Sequence, residues 1–279
     1  MTNEGLQIVL TNDDGIESPG LVALYEALSS LGDVTVVAPA TGQSGIGRAV
    51  SVGRGRGHQE RGENGVDVTT GRFSCTVPHR EHDLGYAVDG TPCDCVMLGI
   101  HALDEPPDVV VAGCNPGPNV GHDTLSRSGT TSAAMEAAYA GVPAVATSVN
   151  TINYDRTITE ETFERAARVV ADLVERTLDA GAFEEIDYLN VNSPRPDRPI
   201  KSIEMTRPTP KYGMDAEVTD GEFRLRFDSL ERFGYGDQVD PPGSDLRAVA
   251  EGRISISPLD LPAEYQRSDR LGAVVDELV

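Results

Sequence analysis

Two adjacent carboxylates, Asp13 and Asp14, are the residues in this sequence with the clearest capacity for chemistry. They follow the apolar run 6–11 and precede Gly15, so they lie in a turn at the end of a predicted buried strand. Adjacent carboxylates repel each other unless a cation lies between them, and oxygen ligands suit Mg²⁺ or Mn²⁺. The pair therefore predicts a divalent-metal site, and a turn with helix-capping acids is the simpler alternative.

Two Gly-rich segments add groups that suit a metal ion or a phosphate. Ser44, in the string GQSGIG, offers a hydroxyl ligand. Asn115 and Asn119 lie in a loop whose glycines allow backbone N–H groups to converge on an anion. Ordinary turns would also use Ser and Asn at these positions, so this interpretation stays open.

A predicted helix begins at Ser128, Gly129 and Thr130. The free N–H groups and the positive dipole end of a helix favour a phosphate at such a position. A helix cap is needed there in any case, so this signal alone does not decide the function.

The elements that must position these residues form a repeated pattern of strand and helix. Apolar runs at 6–11 and 33–39 flank a helix that Ser18 can cap and Gly32 ends, which predicts a parallel sheet with helices on its faces. Further strands are predicted at 108–112, 142–149, 186–192 and 253–257, and further helices at 92–103, 130–141, 159–180 and 245–251. Ligands of such sheets bind beyond the carboxyl ends of the strands, where all the polar segments above lie.

The pattern changes in two places. A Gly/Arg-rich stretch at 53–65 leads into two short alternating segments near 66–77, which predict an excursion hairpin. From about residue 200 the signals become antiparallel: 201–207, then 218–227 with Asp220 and Gly221 in a tight turn. Residues 228–243 are predicted to be loop.

Charge restricts the classes of partner. The chain of 279 residues has 23 basic and 45 acidic side chains, a net charge of −22, and its acids are spread along the chain. Nucleic-acid binding needs a basic footprint, which is missing here, and Arg54, Arg56 and Arg61 are expected in a surface loop. Diffuse negative charge indicates adaptation to a salt-rich cytoplasm, because salt screens the self-repulsion.

The four cysteines have neither zinc-site spacing nor the density of a secreted disulfide framework, and we expect them to be reduced. No basic stretch precedes an apolar one at the start, and no apolar run approaches the roughly 18 residues of a membrane helix. We therefore expect a cytoplasmic protein with no membrane partner. Walker A, G-x-G-x-x-G and nucleophile-elbow motifs are also missing.

Seven strings in one order resemble the survival protein E (SurE) family of metal-dependent 5′/3′-nucleotidases. They are TNDDGIESPGL at 11–21, VVAPATGQSGIGRA at 36–49, VDGTPCDCV at 88–96, AGCNPGPNVG at 112–121, SGTTSAAMEAA at 128–138, LNVNSP at 189–194 and GSDLRAVAEGRISISPL at 243–259. Each string is short, but the seven run in family order from residue 11 to residue 259, over almost the whole length of the chain.

The resemblance implies a Rossmann-like α/β fold in a single domain, 1–279, that hydrolyses nucleoside 5′- and 3′-monophosphates with one divalent metal ion per subunit, Mg²⁺ or Mn²⁺. Carried over by position, the metal ligands are Asp13, Asp14, Ser44 and Asn115. The phosphate-contacting groups are Asn119, Ser128, Gly129 and Thr130. It also implies a homodimer or homotetramer that exchanges a C-terminal hairpin, for which 208–243 is the candidate arm.

Two positions depart from the family pattern. Cys114 places a thiol beside Asn115. Arg127 replaces the usual Tyr before the Ser-Gly-Thr turn, with one extra residue between Asn119 and Ser128. Arg127 could hold a phosphate as a planar fork or could be a surface arginine.

The expected mechanism is in-line attack by water on phosphorus, with Asp13 or Asp14 also handling a proton. Direct attack by a strand-end aspartate, through an aspartyl-phosphate, is the mechanistic alternative. A noncatalytic nucleotide-binding or regulatory module could use the same crevice. Metal-dependent phosphate release distinguishes an enzyme from such a module.

Overall fold

A computed structural model describes residues 5–52, 66–67, 72–73, 75–210, 213–227 and 240–261. The strands are β1 (Leu6–Thr11), β2 (Gly32–Pro39), β3 (Val66–Asp67), β4 (Arg72–Phe73), β5 (His79–His82), β6 (Gly85–Val88), β7 (Val109–Pro116), β8 (Ala144–Val149), β9 (Tyr188–Ser193), β10 (Ile203–Met205), β11 (Met214–Thr219), β12 (Glu222–Phe227) and β13 (Ile254–Leu259). The helices are α1 (Pro19–Leu28), α2 (Pro92–His101), α3 (His122–Leu125), α4 (Gly129–Tyr139), α5 (Glu160–Asp179) and α6 (Asp245–Ala250).

Nine of the described strands form one sheet in the order β10-β13-β9-β8-β7-β1-β2-β6-β5. The six strands from β9 to β6 are mutually parallel, and β5 and β13 run antiparallel to their neighbours β6 and β9. The chain leaves β1 toward β2 but leaves β7 toward β8, so the order reverses at the β1/β7 pair. Such a switch point opens a crevice beyond the carboxyl ends of the two strands.

Helices cover both faces of this sheet, which confirms the predicted fold class. On β1, Ile8 and Leu10 join the core beneath α1 and α5, whereas Val9 joins the core beneath α2 and α4. The alternation follows from the two-residue period of a strand. One face of α5 is fully or almost fully buried. It carries Phe163, Ala167, Val170 and Val174, which follow one another at three- and four-residue steps.

The structure differs from the prediction at the end of β7. The sequence placed a loop from Gly113 onward, but β7 continues to Pro116. A register shift after Ala112 lets Asn115 pair with Ser148 and Pro116 with Val149 of β8. The prediction was wrong because these cross-strand partners, more than 30 residues away in the chain, outweigh the local Gly and Pro signals.

The antiparallel assignment of 201–207 was also wrong. β10 within this segment pairs parallel to β13, and it is β13 that runs antiparallel to β9. The chain between β10 and β13 returns through a hairpin and α6, so both strands enter the sheet from the same end. The short helix α3 and the β5/β6 hairpin were not predicted.

The Asp-Gly hairpin is confirmed. β11 and β12 pair antiparallel, with positive φ at Asp220 (53°) and Gly221 (82°), as a tight hairpin turn requires. β3 and β4 also pair antiparallel, in agreement with the excursion predicted near 66–77. The segments 53–65 and 228–239, which were predicted to be loops, lie outside the described residues.

The described helices include none with the length and apolar character needed to cross a bilayer. The four cysteines are free thiols, three of them buried.

Candidate active site

Asp13 and Asp14 follow β1, and Asn115 lies near the end of β7. The two strands pair in parallel with Thr11 opposite Ala112, so the three side chains meet at one edge of the sheet. Asp13 and Asn115 are buried, 6% and 5% exposed, whereas Asp14 is partly exposed. The predicted ligands thus lie at the switch point of the sheet.

Hydrogen bonds connect these groups directly. The Asn115 Nδ2 group donates to Oδ1 of Asp13 and, at 2.8 Å, to Oδ2 of Asp14. The Thr130 hydroxyl donates to Oδ1 of Asp13 at 2.7 Å, and the Ser44 hydroxyl lies 3.5 Å from Oδ1 of Asp14. Polar side chains from three separate segments therefore converge on the two carboxylates.

The pKa values reflect this crowding. Burial raises the pKa of Asp13, although bonds from Thr130, Gly129 and Asn115 oppose the shift. Burial, followed by repulsion from Asp13, raises the pKa of Asp14 to about 6. The site therefore resists holding two negative charges without a compensating cation.

The donor set fits a hard divalent cation. Asn115 Oδ1 is a buried acceptor with no hydrogen-bond partner, and a buried carbonyl oxygen without a partner is unfavourable unless a ligand satisfies it. Among the described residues no group of three or more His, Cys, Asp or Glu side chains is arranged to hold a metal. A metal ion at this position would consequently have two carboxylates with amide and hydroxyl oxygens as ligands, a set that suits Mg²⁺ or Mn²⁺.

Ser44 is positioned by the segment that follows β2. The backbone N–H of Gln43 donates to the carbonyl of Asp13 at 2.6 Å, and the N–H of Gly47 donates to the carbonyl of Arg127 at 3.1 Å. Arg48 then forms an ion pair with Glu136 of α4 at 2.7 Å. The loop is thereby fastened to both β1 and α4.

The start of α4 faces the carboxylates. The Ser128 hydroxyl caps the helix by accepting the Thr131 N–H at 3.2 Å, and Thr130 reaches Asp13. A Cβ atom added to Gly129 would lie 2.8 Å from the Cβ of Asp13, so a glycine is needed for this approach. The predicted phosphate turn and the predicted metal site are therefore adjacent.

Asn119 belongs to a neighbouring cluster that sequence reasoning missed. Its Nδ2 group donates to the Ser148 hydroxyl at 2.8 Å rather than to either aspartate, and its N–H donates to Oδ1 of Asn192 at 2.7 Å. Asn190 and Asn192 both donate to its carbonyl. The available signal was the two asparagines in LNVNSP, because polar side chains inside a buried strand need partners.

The sequence analysis missed two residues that hold the loops of the site in place, Asn12 and Asp245. Asn12 holds the aspartate turn by accepting from the N–H of Gly15 at 3.2 Å and donating to the Ser18 hydroxyl at 2.6 Å. Buried Asp245 accepts the N–H groups of Gly121 at 2.7 Å and Thr209 at 2.9 Å, which ties the loop after β7 to the C-terminal half of the chain.

The structure shows the contacts of Arg127 and Cys114, the two residues that depart from the family pattern. Arg127 donates to the carbonyl of Asp123 at 3.0 Å and lies 3.7 Å from its carboxylate, with its side chain 48% exposed. Cys114 is buried with its sulfur 3.8 Å from the Thr147 hydroxyl, and burial raises the pKa of its thiol to about 12. The thiol is therefore neutral and uncharged beside the site.

Topology and site together define the class of protein: a Rossmann-like α/β protein with an acidic, oxygen-rich ligand site at its switch point. A family model described as "Survival protein SurE" matches residues 8–214. The chain belongs to this family.

The chain is similar to two proteins named 5′-nucleotidase SurE. It is 47% identical to the one from Natronomonas pharaonis, and the match covers 92% of this chain and 93% of that relative. It is 42% identical to the one from Haloarcula marismortui, and the match covers 96% of this chain and 94% of that relative. Among solved structures, the SurE protein from Aquifex aeolicus matches with a TM-score of 0.71 and 33% identity, covering 97% of this chain and 98% of that one.

Proposed function

We propose that this chain is a metal-dependent phosphatase that hydrolyses nucleoside 5′- and 3′-monophosphates to nucleoside and phosphate. The observation that carries the proposal is the meeting of Asp13, Asp14, Ser44 and Asn115 beside the start of α4. The relatives named 5′-nucleotidase match over nearly their full length, which supports the same substrate class.

One Mg²⁺ or Mn²⁺ ion per subunit would be held by Asp13, Asp14, Ser44 and Asn115. When bound, such an ion withdraws charge from phosphoryl oxygens and makes a bound water more acidic. Rotation of the Asn115 amide would present its unpartnered oxygen to the ion in place of its NH₂ group. The positive charge would also offset the burial and the repulsion from Asp13 that raise the pKa of Asp14.

The substrate phosphate would lie at the start of α4, between Asn119 and the turn of Ser128, Gly129 and Thr130. The helix contributes its positive dipole end there, and a phosphate would compete with Asp13 for the N–H of Gly129. These groups would orient phosphorus for in-line attack and stabilise the charge on its oxygens.

We assign the proton-handling role to Asp14. Oδ1 of Asp13 already accepts bonds from Thr130 and Asn115, whereas Asp14 is more open and has only the long contact to Ser44 on its Oδ1 atom. An Asp14 carboxylate could therefore take the proton of the attacking water, with Asp13 as a fixed anchor. Trapping of a covalent phosphoenzyme would instead support attack by an aspartate.

The experiment is phosphate release from nucleoside 5′- and 3′-monophosphates in molar KCl, with Mn²⁺, Mg²⁺ or EDTA. We expect metal-dependent release that Asp14→Asn reduces by roughly 10³-fold or more. Asp172→Asn, at an exposed position of α5, is the matched control and should retain activity. Nucleotide binding without any phosphate release would favour the noncatalytic module.

We further propose that the chain forms a homodimer or homotetramer in the cytoplasm. The hairpin of the 208–243 arm presents Val218, Phe223 and Leu225 on one face, 69%, 86% and 74% exposed, and such a face favours a homodimer or homotetramer. Light scattering should report a dimer or tetramer for wild type and a smaller species for Phe223→Ser.

The free cysteines support a reducing cytoplasm as the compartment. We also propose that 1–279 forms one domain.

A further inference from the structure

A cavity of about 420 Å³ opens beside the candidate metal site. The start of α1, the end of β7 and the segment before α5 enclose it, and Asp14 lines it directly. Its volume lies within the range of small-molecule sites. Neither the proposed metal ion nor the substrate phosphate would fill this space, although the Asp14 carboxylate forms part of its wall.

The chemistry of the wall differs from that of the phosphate turn. Pro19, Pro116 and Ile158 supply apolar surface, and the Phe163 ring lies beneath them, fully buried. Glu17 and Asp14 are the charged side chains among the lining residues, and both are acidic. An anion is disfavoured here, whereas a neutral ring and hydroxyl donors are favoured.

From this contrast we infer that the cavity binds the nucleoside part of the substrate, with the base against Ile158 and Pro116 and the sugar hydroxyls donating to the carboxylate of Glu17. The inference rests on the proposed function and deepens it. The phosphate then points toward α4 and the nucleoside toward α1, so Asp14 lies where the two parts join.

This orientation has a consequence for specificity. A second phosphate on the sugar would bring negative charge against Glu17, so nucleoside 3′,5′-bisphosphates should be poorer substrates than monophosphates. Glu17 acts here by repulsion as well as by accepting hydrogen bonds. Glu17→Gln should therefore raise the activity on the bisphosphate relative to the monophosphate by roughly five-fold or more.

The main test uses Ile158→Asp, with Ile203→Asp as the matched control. Ile203 is also an exposed isoleucine, but it lies on edge strand β10 and does not line the cavity. Two quantities are measured in molar KCl: the ratio of kcat/KM for adenosine 5′-monophosphate to that for methyl phosphate, and the affinity for adenosine by calorimetry. Methyl phosphate carries no base and no sugar, so it lacks the groups that the cavity is proposed to bind.

We expect Ile158→Asp to lower the kcat/KM ratio roughly ten-fold or more, through KM, and to weaken adenosine binding equally. Ile203→Asp should change neither quantity. An unchanged ratio with unchanged adenosine affinity, or a wild type that does not bind adenosine, would overturn the inference. If the wild type releases no phosphate from any ester, the proposed function fails, and the adenosine titrations still decide the cavity.

Discussion

The hydroxyl of Thr130 donates to Oδ1 of Asp13 at 2.7 Å, and this bond joins the first turn of α4 to the end of β1. Thr130 is 1% exposed, so water cannot replace the donor easily. One carboxylate oxygen therefore connects the proposed metal ligands to the proposed phosphate turn.

Thr130→Val should weaken divalent-metal binding, because it removes a donor that orients Asp13 while it keeps the side-chain shape. We expect a loss of roughly 10- to 100-fold in Mn²⁺ affinity, measured by calorimetric titration. Thr131→Val is the matched control, since its hydroxyl is equally buried but donates to the Leu125 carbonyl at 2.6 Å. An equal loss of affinity in both variants would contradict a specific role for Thr130.

Gly129→Ala should reduce phosphate release by roughly ten-fold or more, because its Cβ would lie 2.8 Å from the Cβ of Asp13 and must displace that residue or α4. Gly42→Ala provides the comparison: its Cβ would lie 3.6 Å from the Asp14 carbonyl oxygen, an ordinary contact. Steady-state kinetics with a check of folding by circular dichroism measures the difference. Comparable activity in the two variants would show that the close approach is not required.

The raised pKa of Asp14 predicts a pH-dependent cost to stability in the metal-free protein. Its pKa rises from 3.8 to about 6 on folding, so the folded state holds the proton more tightly than the unfolded chain does. Stability from this group is complete below pH 3.8 and is lost as the pH rises through about 6. Asp14→Asn should therefore become more stable than wild type as the pH increases across that window in EDTA.

Urea unfolding at several pH values measures this difference in the free energy of unfolding. Saturating Mn²⁺ should reverse the order, because wild type gains binding energy that the variant lacks. A variant that is less stable than wild type in EDTA above pH 6 would show that Asp14 is not under electrostatic strain.

The net charge of −22 predicts that KCl stabilises the protein. The Debye length falls from about 10 Å at 0.1 M to about 3 Å at 1 M salt, so self-repulsion is largely screened over that range. We expect Tm, measured by calorimetry, to rise steeply with KCl and then to level off as screening is completed. A Tm that does not change over this range would indicate that the acidic surface does not destabilise the fold.

Much of the architecture was predictable from local sequence, because local forces specify it. The apolar run of β1, the three- and four-residue steps from Phe163 to Val174 in α5, and the Asp220–Gly221 turn each restrict the backbone within a few residues. The candidate carboxylates were predictable for the same reason: Asp13 and Asp14 follow a strand that its own residues define. Asn115 was predicted just beyond the strand 108–112, and parallel strands end at one edge.

Other features depend on residues that are far apart in the chain, and only the tertiary structure decided them. The extension of β7 to Pro116 depends on β8, the parallel pairing of β10 depends on β13, and the position of Asn119 depends on Asn192. The cavity beside Asp14 forms where residues of α1, the end of β7 and the segment before α5 come together. Sequence patterns report local backbone preference and burial, whereas these contacts arise from the packing of complete elements against one another.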